Sequence, residues 1–345
     1  MALLNLEELK MAYTIFTDPH LGTARTAHTS RSSSEALRLR LFKEADKLAS
    51  LENPICCGDL FDKSNNNEEA ILHGFKVASN CNYVLAGNHD EDNVVGRVTS
   101  LRALQSMGVT SIVSSNNLAK PYFFTDGKLV FVPHHISQAL FEEAIGAAFD
   151  NTIPGSVLFL HCNYDFDINN SDATLNLPAT LAEKLLEKFN FIFIGHEHGS
   201  KEDFDGRVCI VGNTFPTSFS DISTKSYVVL SDDLTSYERK ITFNADVNFL
   251  TINIDEAIDE NKIKAASFVE VVGKVASPTE FIKLQSKLWD INSEIYCIRN
   301  NTSVVTEVAA PVIDKSGFVS LEERLHTDIP EKYKNFMTKL LNEVV

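Results

Sequence analysis

The chain has 345 residues, an apolar fraction of 44% and a formal net charge of -16. That length and apolar content suit one large domain, or a main domain with a smaller companion, built on a real core. The charge argues against a general polyanion binder, whose affinity is dominated by phosphate neutralisation, and no run reaches the roughly 20 apolar residues of a membrane span.

The opening stretch, MALLNLEELK, carries acids where a secretory leader carries bases, so no leader is expected. Residues 1–10 read as an extension or a short packed helix. YTIF (13–16) is short, apolar and partly β-branched, which reads as a buried strand. From Thr23 to Lys43 the chain carries Arg25, Arg31, Arg38, Arg40 and Lys43 against one acid, Glu35. Its Thr/Ser-rich part, TARTAHTSRSSS, is expected to be a basic, mobile loop.

Leu37, Leu41, Ala45 and Leu48 then recur at helical spacing ahead of a second strand, PICC (54–57). YVLA (83–86) reads as a third strand and VLFL (157–160) as a fourth, with FVPHHISQALFEEAI (131–145) between them as strand, proline and acidic helix. Leu181, Leu185 and Phe189 suggest a helix before the fifth strand, FIFI (191–194). Alternating strand and helix favour an α/β class. Beyond about residue 205, RVCIVG, KSYVVL and YERKITF are strands without helices, expected to complete the same core as a second sheet or a sheet edge.

Near residue 245 the pattern resets into FVEVVGKV (268–275), PTEFIKLQSKLWDI (278–291) and EIYCI (294–298), a strand, helix and strand. Ser277 and Glu280 are expected to form a capping box, with Pro278 at the first helical position. From Pro330 the tail is expected to be helical, with Tyr333, Phe336, Met337, Leu340, Leu341 and Val344 on one face. The division that follows is a main domain over 1–245, a small α+β domain over 246–310 and a helical tail over 311–345. Six cysteines show neither a CxxC pair nor a disulfide spacing, so a reducing cytoplasm is the expected location.

Each of the five strands runs into metal-ligand chemistry. Asp18 and His20 follow the first, Asp59 and Asp62 the second, Asn88, His89 and Asp90 the third, His161 the fourth, and His196 and His198 the fifth. Sites in α/β sheets form at the carboxyl ends of strands, so these residues can converge across the chain. Carboxylate, carboxamide and imidazole together suit Mn, Fe or Zn. Two ions close together need a shared carboxylate, and Asp59 is the natural candidate.

In this order, DPH (18–20), GDLFD (58–62), GNHD (87–90), LHCN (160–163) and GHEH (195–198) resemble the calcineurin-like metallophosphoesterase superfamily. The resemblance spans about residues 12 to 243. It implies a two-sheet sandwich flanked by helices, and two divalent ions, Mn2+ foremost with Fe or Zn acceptable. One ion would be held by Asp18, His20, Asp59 and His198, the other by Asp59, Asn88, His161 and His196. His89 would face the scissile phosphate, with Asp62 as its orienting partner. Metal-dependent phosphoester hydrolysis follows as the expected reaction.

The protein phosphatases of the superfamily carry Arg-Gly after the second motif and Glu after GNH, whereas this chain has Lys63, Ser64 and Asp90. The layout looks more like the nuclease subunit of SbcC–SbcD-type DNA repair complexes and their phage counterparts. Those pair a phosphoesterase domain with a small capping domain and a helical tail that docks on an ATPase. The resemblance therefore implies DNA as substrate, a coiled-coil P-loop ATPase subunit as partner, a homodimer as a further assembly, and the cytosol of a bacterium or phage-infected host; Arg25 and Arg31, basic residues just beyond His20, are the expected contacts to DNA phosphates. The alternative is a stand-alone phosphodiesterase or phosphatase for a small nucleotide or phosphomonoester. A non-catalytic scaffold is disfavoured because the ligand set is complete.

Overall fold

A computed structural model describes residues 12–304, apart from 24–30, 93, 95–96, 117, 167–174 and 244–245. In chain order the first elements are β1 (Tyr13–Phe16), α1 (Arg31–Leu48), β2 (Pro54–Cys56), α2 (Glu68–Asn80), β3 (Tyr83–Leu85), α3 (Ser100–Ser106) and β4 (Ile112–Val113). Next come β5 (Phe124–Asp126), β6 (Leu129–Val132), α4 (Gln138–Asp150), β7 (Ser156–His161), β8 (Asn163–Tyr164), β9 (Asn176–Leu177), α5 (Ala179–Leu185), β10 (Phe189–Gly195), β11 (Lys201–Asp203) and β12 (Val208–Ile210). The rest are β13 (Ser226–Leu230), β14 (Tyr237–Ile241), β15 (Phe249–Asn253), α6 (Glu260–Ala265), β16 (Phe268–Val275), α7 (Pro278–Ile291) and β17 (Cys297–Val304).

Two six-stranded sheets face each other, in the orders β14-β13-β1-β2-β3-β4 and β11-β12-β10-β7-β6-β5. Strands β1 to β4 run parallel in the first and β6, β7, β10 and β12 in the second, while β13, β14, β5 and β11 add antiparallel edges. The strands look apolar throughout because both faces are buried. On β1, Ile15 enters the core between the sheets while Phe16 enters the core beneath α1 and α2. On β10, Phe193 points between the sheets and Ile192 and Ile194 point toward α4 and α5. The layer between the sheets is aromatic, with Phe131 stacked on Phe159 at 4.7 Å and Phe159 on Phe193 at 5.7 Å between ring centroids. Such pairs add about 0.5–1.5 kcal/mol each beyond their area burial. The fold is thus an α/β two-sheet sandwich flanked by helices.

A third sheet, β15-β16-β17, carries α6 and α7 and has its own core of Ile252, Ile263, Val269, Val271, Phe281 and Leu288. It meets the rest through Phe249 against Phe219, Tyr296 against Phe215, and an ion pair of Arg40 in α1 with Asp246.

Several expectations shift. RSSS (31–34) is the first turn of α1 and not loop. Phe189 opens β10 instead of closing the preceding helix, because α5 is only seven residues long and the chain turns at Leu186. The last strand of the third sheet begins at Cys297, three residues beyond the expected Glu294, and runs to Val304. β15 and α6 carry no strong periodicity and are additions. At α7, Ser277 makes no side-chain cap, and Glu280 Oε2 accepts at 2.7 Å from the N–H of Ala276, one residue before the N-cap; neither bond of the expected capping box is made. Residues 1–10 and the tail from Pro330 lie outside the described residues. Among the described residues no helix is long and apolar enough to cross a membrane.

Gly74 in α2 lies against Phe61, a fully buried ring in the GDLFD loop, and a methyl at Gly74 would overlap that ring. Alanine's helix propensity would gain about 1 kcal/mol, whereas overpacking a tight core costs about 1–3 kcal/mol. Phe61 has little freedom to yield, since its backbone N–H is held by Asp90 Oδ1 at 3.0 Å. Gly74→Ala is therefore expected to lower the melting temperature, by about 2–4 °C for each net kcal/mol lost. A rise on a thermal scan would show that the ring makes room.

Candidate metal centre

The carboxyl ends of β1, β2, β3, β7 and β10 meet along one rim where the two sheets touch. The DPH and GDLFD loops are laced together by main-chain bonds, Asp18 N to Gly58 O at 3.0 Å, His20 N to Asp59 O at 3.2 Å and Leu21 N to Leu60 O at 2.9 Å. The second sheet is tied in by His161 Nδ1, which donates to Cys57 O at 2.8 Å, and by His196 N, which donates to Asp18 Oδ2 at 3.0 Å. Asp18, His20, Asp59 and His196 all have positive φ, between 45° and 94°. Left-handed backbone at non-glycine residues costs on the order of 1–3 kcal/mol each and clusters at functional sites. Gly58, with φ 113°, leaves the room that the His161 ring fills.

Three groups of potential ligand atoms result, each within 4.8 Å: Asp18, His20 and His198 first, Asp59, His161 and His196 second, and third a more exposed set of His20, Asp62 and His89. In the first, His20 Nε2 stands 3.2 Å from His198 Nε2 and 3.7 Å from Asp18 Oδ1. In the second, His161 Nε2 lies 3.3 Å from Asp59 Oδ2, and Asn88 Oδ1 is 3.1 Å from His161 Nε2 and 2.9 Å from His196 Nδ1. Two ligands each about 2.1 Å from one ion, at a tetrahedral angle, lie about 3.4 Å apart. The spacing fits. The charge fits as well, because Asp18 and Asp59 are each only 1% exposed, and Asp18 Oδ1 is a buried acceptor with no hydrogen-bond partner. A buried, unpartnered carboxylate oxygen aimed among imidazole nitrogens is the environment a divalent ion satisfies.

The protonation pattern has the same cause. Burial pushes the Asp59 carboxyl up, but His161, His20 and His89 around it more than offset this and hold it below the usual carboxylate range. Burial pushes His161 down, and Asp59 and Asp18 raise it above an ordinary imidazole. A proton on His161 thus does what a cation would do, and an ion would displace it. His20 is lowered by burial against the pull of Asp59 and Asp18, and His196 is lowered to about 4 by burial and then by His161. Both are neutral, the state that ligates.

All seven expected metal ligands, with His89 and Asp62, reach this rim. Asp59 falls in the second group, and its charge also acts on His20 in the first. Asp62 partners His89 through its main chain. His89 Nδ1 donates to the main-chain oxygen of Asp62 at 2.6 Å, whereas the Asp62 carboxylate accepts from Thr23 Oγ1 at 2.9 Å and faces His20 Nδ1 at 3.9 Å. The side chain thus accompanies a ligand, and the backbone orients His89. Asp90 joins none of these groups; its carboxylate accepts from the N–H groups of Leu60, Phe61 and Gly87 and binds two motif loops together. Arg25 lies outside the described residues, and Arg31 is placed only as the first residue of α1.

The sequence reading missed four contributors. Thr17 Oγ1 donates to Asp18 Oδ2 at 2.5 Å, and Thr23 holds Asp62. His134 follows β6 at the same rim, pushed down to about 3 by burial and then by His161; a histidine just after a strand was visible in FVPHH. Asp221, in the loop between β12 and β13, stands 3.5 Å from His198 Nδ1, and no local pattern marks it.

These groupings set the expected metal stoichiometry. His198→Ala should chiefly cost the ion of the first group and His161→Ala that of the second, while Asp59→Asn should cost both. Elemental analysis after loading with Mn2+ checks this, and a full complement in Asp59→Asn would contradict the shared role.

A comparison with curated proteins finds no match. A comparison with protein families matches calcineurin-like phosphoesterase over residues 11–200, which takes in every motif from DPH to GHEH. The converging rim and this match lead to one conclusion: the chain belongs to the calcineurin-like phosphoesterase family, whose chemistry is metal-dependent phosphoester hydrolysis.

Proposed function

We propose that the chain is a two-ion phosphodiesterase acting on DNA, with Asp18, His20, Asp59 and His198 holding one ion and Asp59, Asn88, His161 and His196 the other. The observation that carries the phosphodiesterase reading is the state of His89. Its ring is exposed, centred 5.0 Å from the His20 ring, at the mouth of an otherwise half-buried or buried cluster. A carbonyl can only accept, so the 2.6 Å contact with Asp62 O puts a proton on Nδ1 and leaves Nε2 toward the open side. In the imidazolium form Nε2 carries a proton as well and can give it to a leaving alkoxide. Two divalent ions, when bound, supply an activated water and neutralise charge on the phosphoryl oxygens. The protein's own part is to hold that cluster rigid and to present His89 over it.

The choice of DNA is supported by the layout, a phosphoesterase sandwich followed by a small sheet with helices, as in SbcD-type nuclease subunits. In this reading 246–310 is a capping domain, 311–345 docks on a coiled-coil P-loop ATPase through the Tyr333, Phe336, Met337, Leu340 and Leu341 stripe, Arg25 and Arg31 contact phosphates, and homodimers can form in the cytoplasm. One observation favours the second reading, a stand-alone enzyme for a small nucleotide or phosphomonoester. Two cations of the basic run are already paired, Arg38 with Glu69 at 2.9 Å and Arg40 with Asp246, on a chain of net charge -16.

His89→Ala is expected to keep its metal and to lose on the order of 10²- to 10⁴-fold in turnover, and less on a diester with an activated leaving group. Wild-type turnover of a poorly activated diester by this variant would remove His89 from the mechanism. Replacing Arg25 and Arg31 together with alanine should weaken cleavage of long duplex DNA in a salt-dependent way while sparing a small diester. Activity on the small diester alone, with none on DNA in Mn2+, would select the second reading.

A further inference from the structure

His198 differs from His161 and His20 in how it is held. The side chains of His161 and His20 are 0% and 5% exposed, and packing fixes them, whereas that of His198 is 38% exposed. It follows β10 in a loop, and its Nε2 must still meet His20 Nε2 at 3.2 Å. Two imidazole nitrogens can face each other at that distance around a shared cation or proton, but two lone pairs alone repel. Something outside the cluster has to fix the ring and its tautomer.

We propose that Asp221 is the positioning residue for His198, a buried carboxylate that accepts from His198 Nδ1–H and thereby turns the Nε2 lone pair toward the ion held with Asp18 and His20. The proposal rests on His198 being a ligand of that ion. Asp221 Oδ2 lies 3.5 Å from His198 Nδ1, long for a hydrogen bond and within ion-pair reach. Such contacts commonly tighten when a site is loaded. The carboxylate is itself built in. Asp221 is 6% exposed, its Oδ2 accepts from Asn213 Nδ2 at 2.7 Å and from Thr217 N at 3.2 Å, and its Oδ1 pairs with Lys225.

The same loop grips the main chain of His198. Lys225 Nζ donates to His198 O at 3.3 Å and Asn213 N donates to the same oxygen at 3.3 Å. The loop is anchored in turn against the third sheet, through Phe215 on Tyr296 and Phe219 on Phe249. His198 is therefore clamped at its carbonyl and steered at its ring by one segment, residues 213–225, that lies beyond the stretch matched to the family. A carboxylate behind a ligating imidazole fixes the ring's orientation and raises its basicity, and losing one typically costs 10–100-fold in metal affinity.

The test is a two-site Mn2+ titration of the full chain, stripped of metal, read by the electron paramagnetic resonance of free Mn2+. Asp221→Ala is expected to weaken one site by about 10–100-fold with the other within about threefold, and Asp221→Asn, which keeps an acceptor without the charge, to fall between. Nitrogen-15 shifts of the His198 ring should report the Nδ1-protonated tautomer in the wild type and its loss in Asp221→Ala. Lys225→Met removes the neighbouring cation and one donor to the His198 carbonyl; it is expected to lower the melting temperature of the stripped protein and to weaken the same site less than Asp221→Ala does, with the Nδ1-protonated tautomer of His198 kept.

Unchanged affinity in whichever Asp221 variants fold overturns the proposal. An equal affinity loss in Lys225→Met and Asp221→Ala overturns it too, by showing that the pair only holds the loop. A wild-type chain that binds no Mn2+ would instead overturn the ligand assignment itself.

Discussion

Two carboxylates, Asp18 and Asp59, are buried at the seam between two sheets, and much of the structure answers to that burial. An ionised carboxylate in such a place is costly unless every oxygen finds a donor or a cation. Asp18 Oδ2 takes bonds from Thr17 and from the backbone of His196, and Asp59 Oδ1 takes one from the backbone of His89. The remaining oxygens face imidazoles. The donors come from both sheets, so satisfying the carboxylates also locks the sheets together at this edge. Left-handed backbone at Asp18, His20, Asp59 and His196 is tolerated because those bonds over-determine it.

The histidines divide by what stands behind them. His161 is fixed by a core carbonyl, His89 by the carbonyl of Asp62, and His20 faces the Asp62 side chain. The partner of each ring decides which nitrogen is free, and so whether the ring can ligate or face solvent. Identical side chains thereby acquire different duties without any difference in intrinsic chemistry. Lys225 shows the converse: burial lowers its ammonium, Asp221 raises it, and its charge is spent on holding a loop and not on meeting a phosphate.

Much of this was legible in the residues themselves. The five strands appear as apolar runs because a layer with helices on one side and a second sheet on the other leaves no polar face, and FIFI ends in His196 and His198 because the strand terminus is the rim. The ligand types and their order could be read from DPH, GDLFD, GNHD, LHCN and GHEH, since metal coordination restricts residue type far more than packing does. Boundaries were less visible, as at Phe189 and Cys297, where an aromatic or apolar residue serves a helix or a strand equally well.

By itself, the sequence determined the α/β class, the chemistry available at the strand ends and the family to which that chemistry belongs, because these depend on local periodicity and on side-chain type. The tertiary structure alone decided the partnerships. That Asp62 lends His89 its carbonyl and gives its carboxylate to Thr23 and His20, that Asp90 ties loops together, and that Asp221 stands behind His198 are facts about which atoms meet across long stretches of chain. Periodicity carries no record of such meetings; they arise only when two sheets close on one edge and buried polar groups must find the donors within reach.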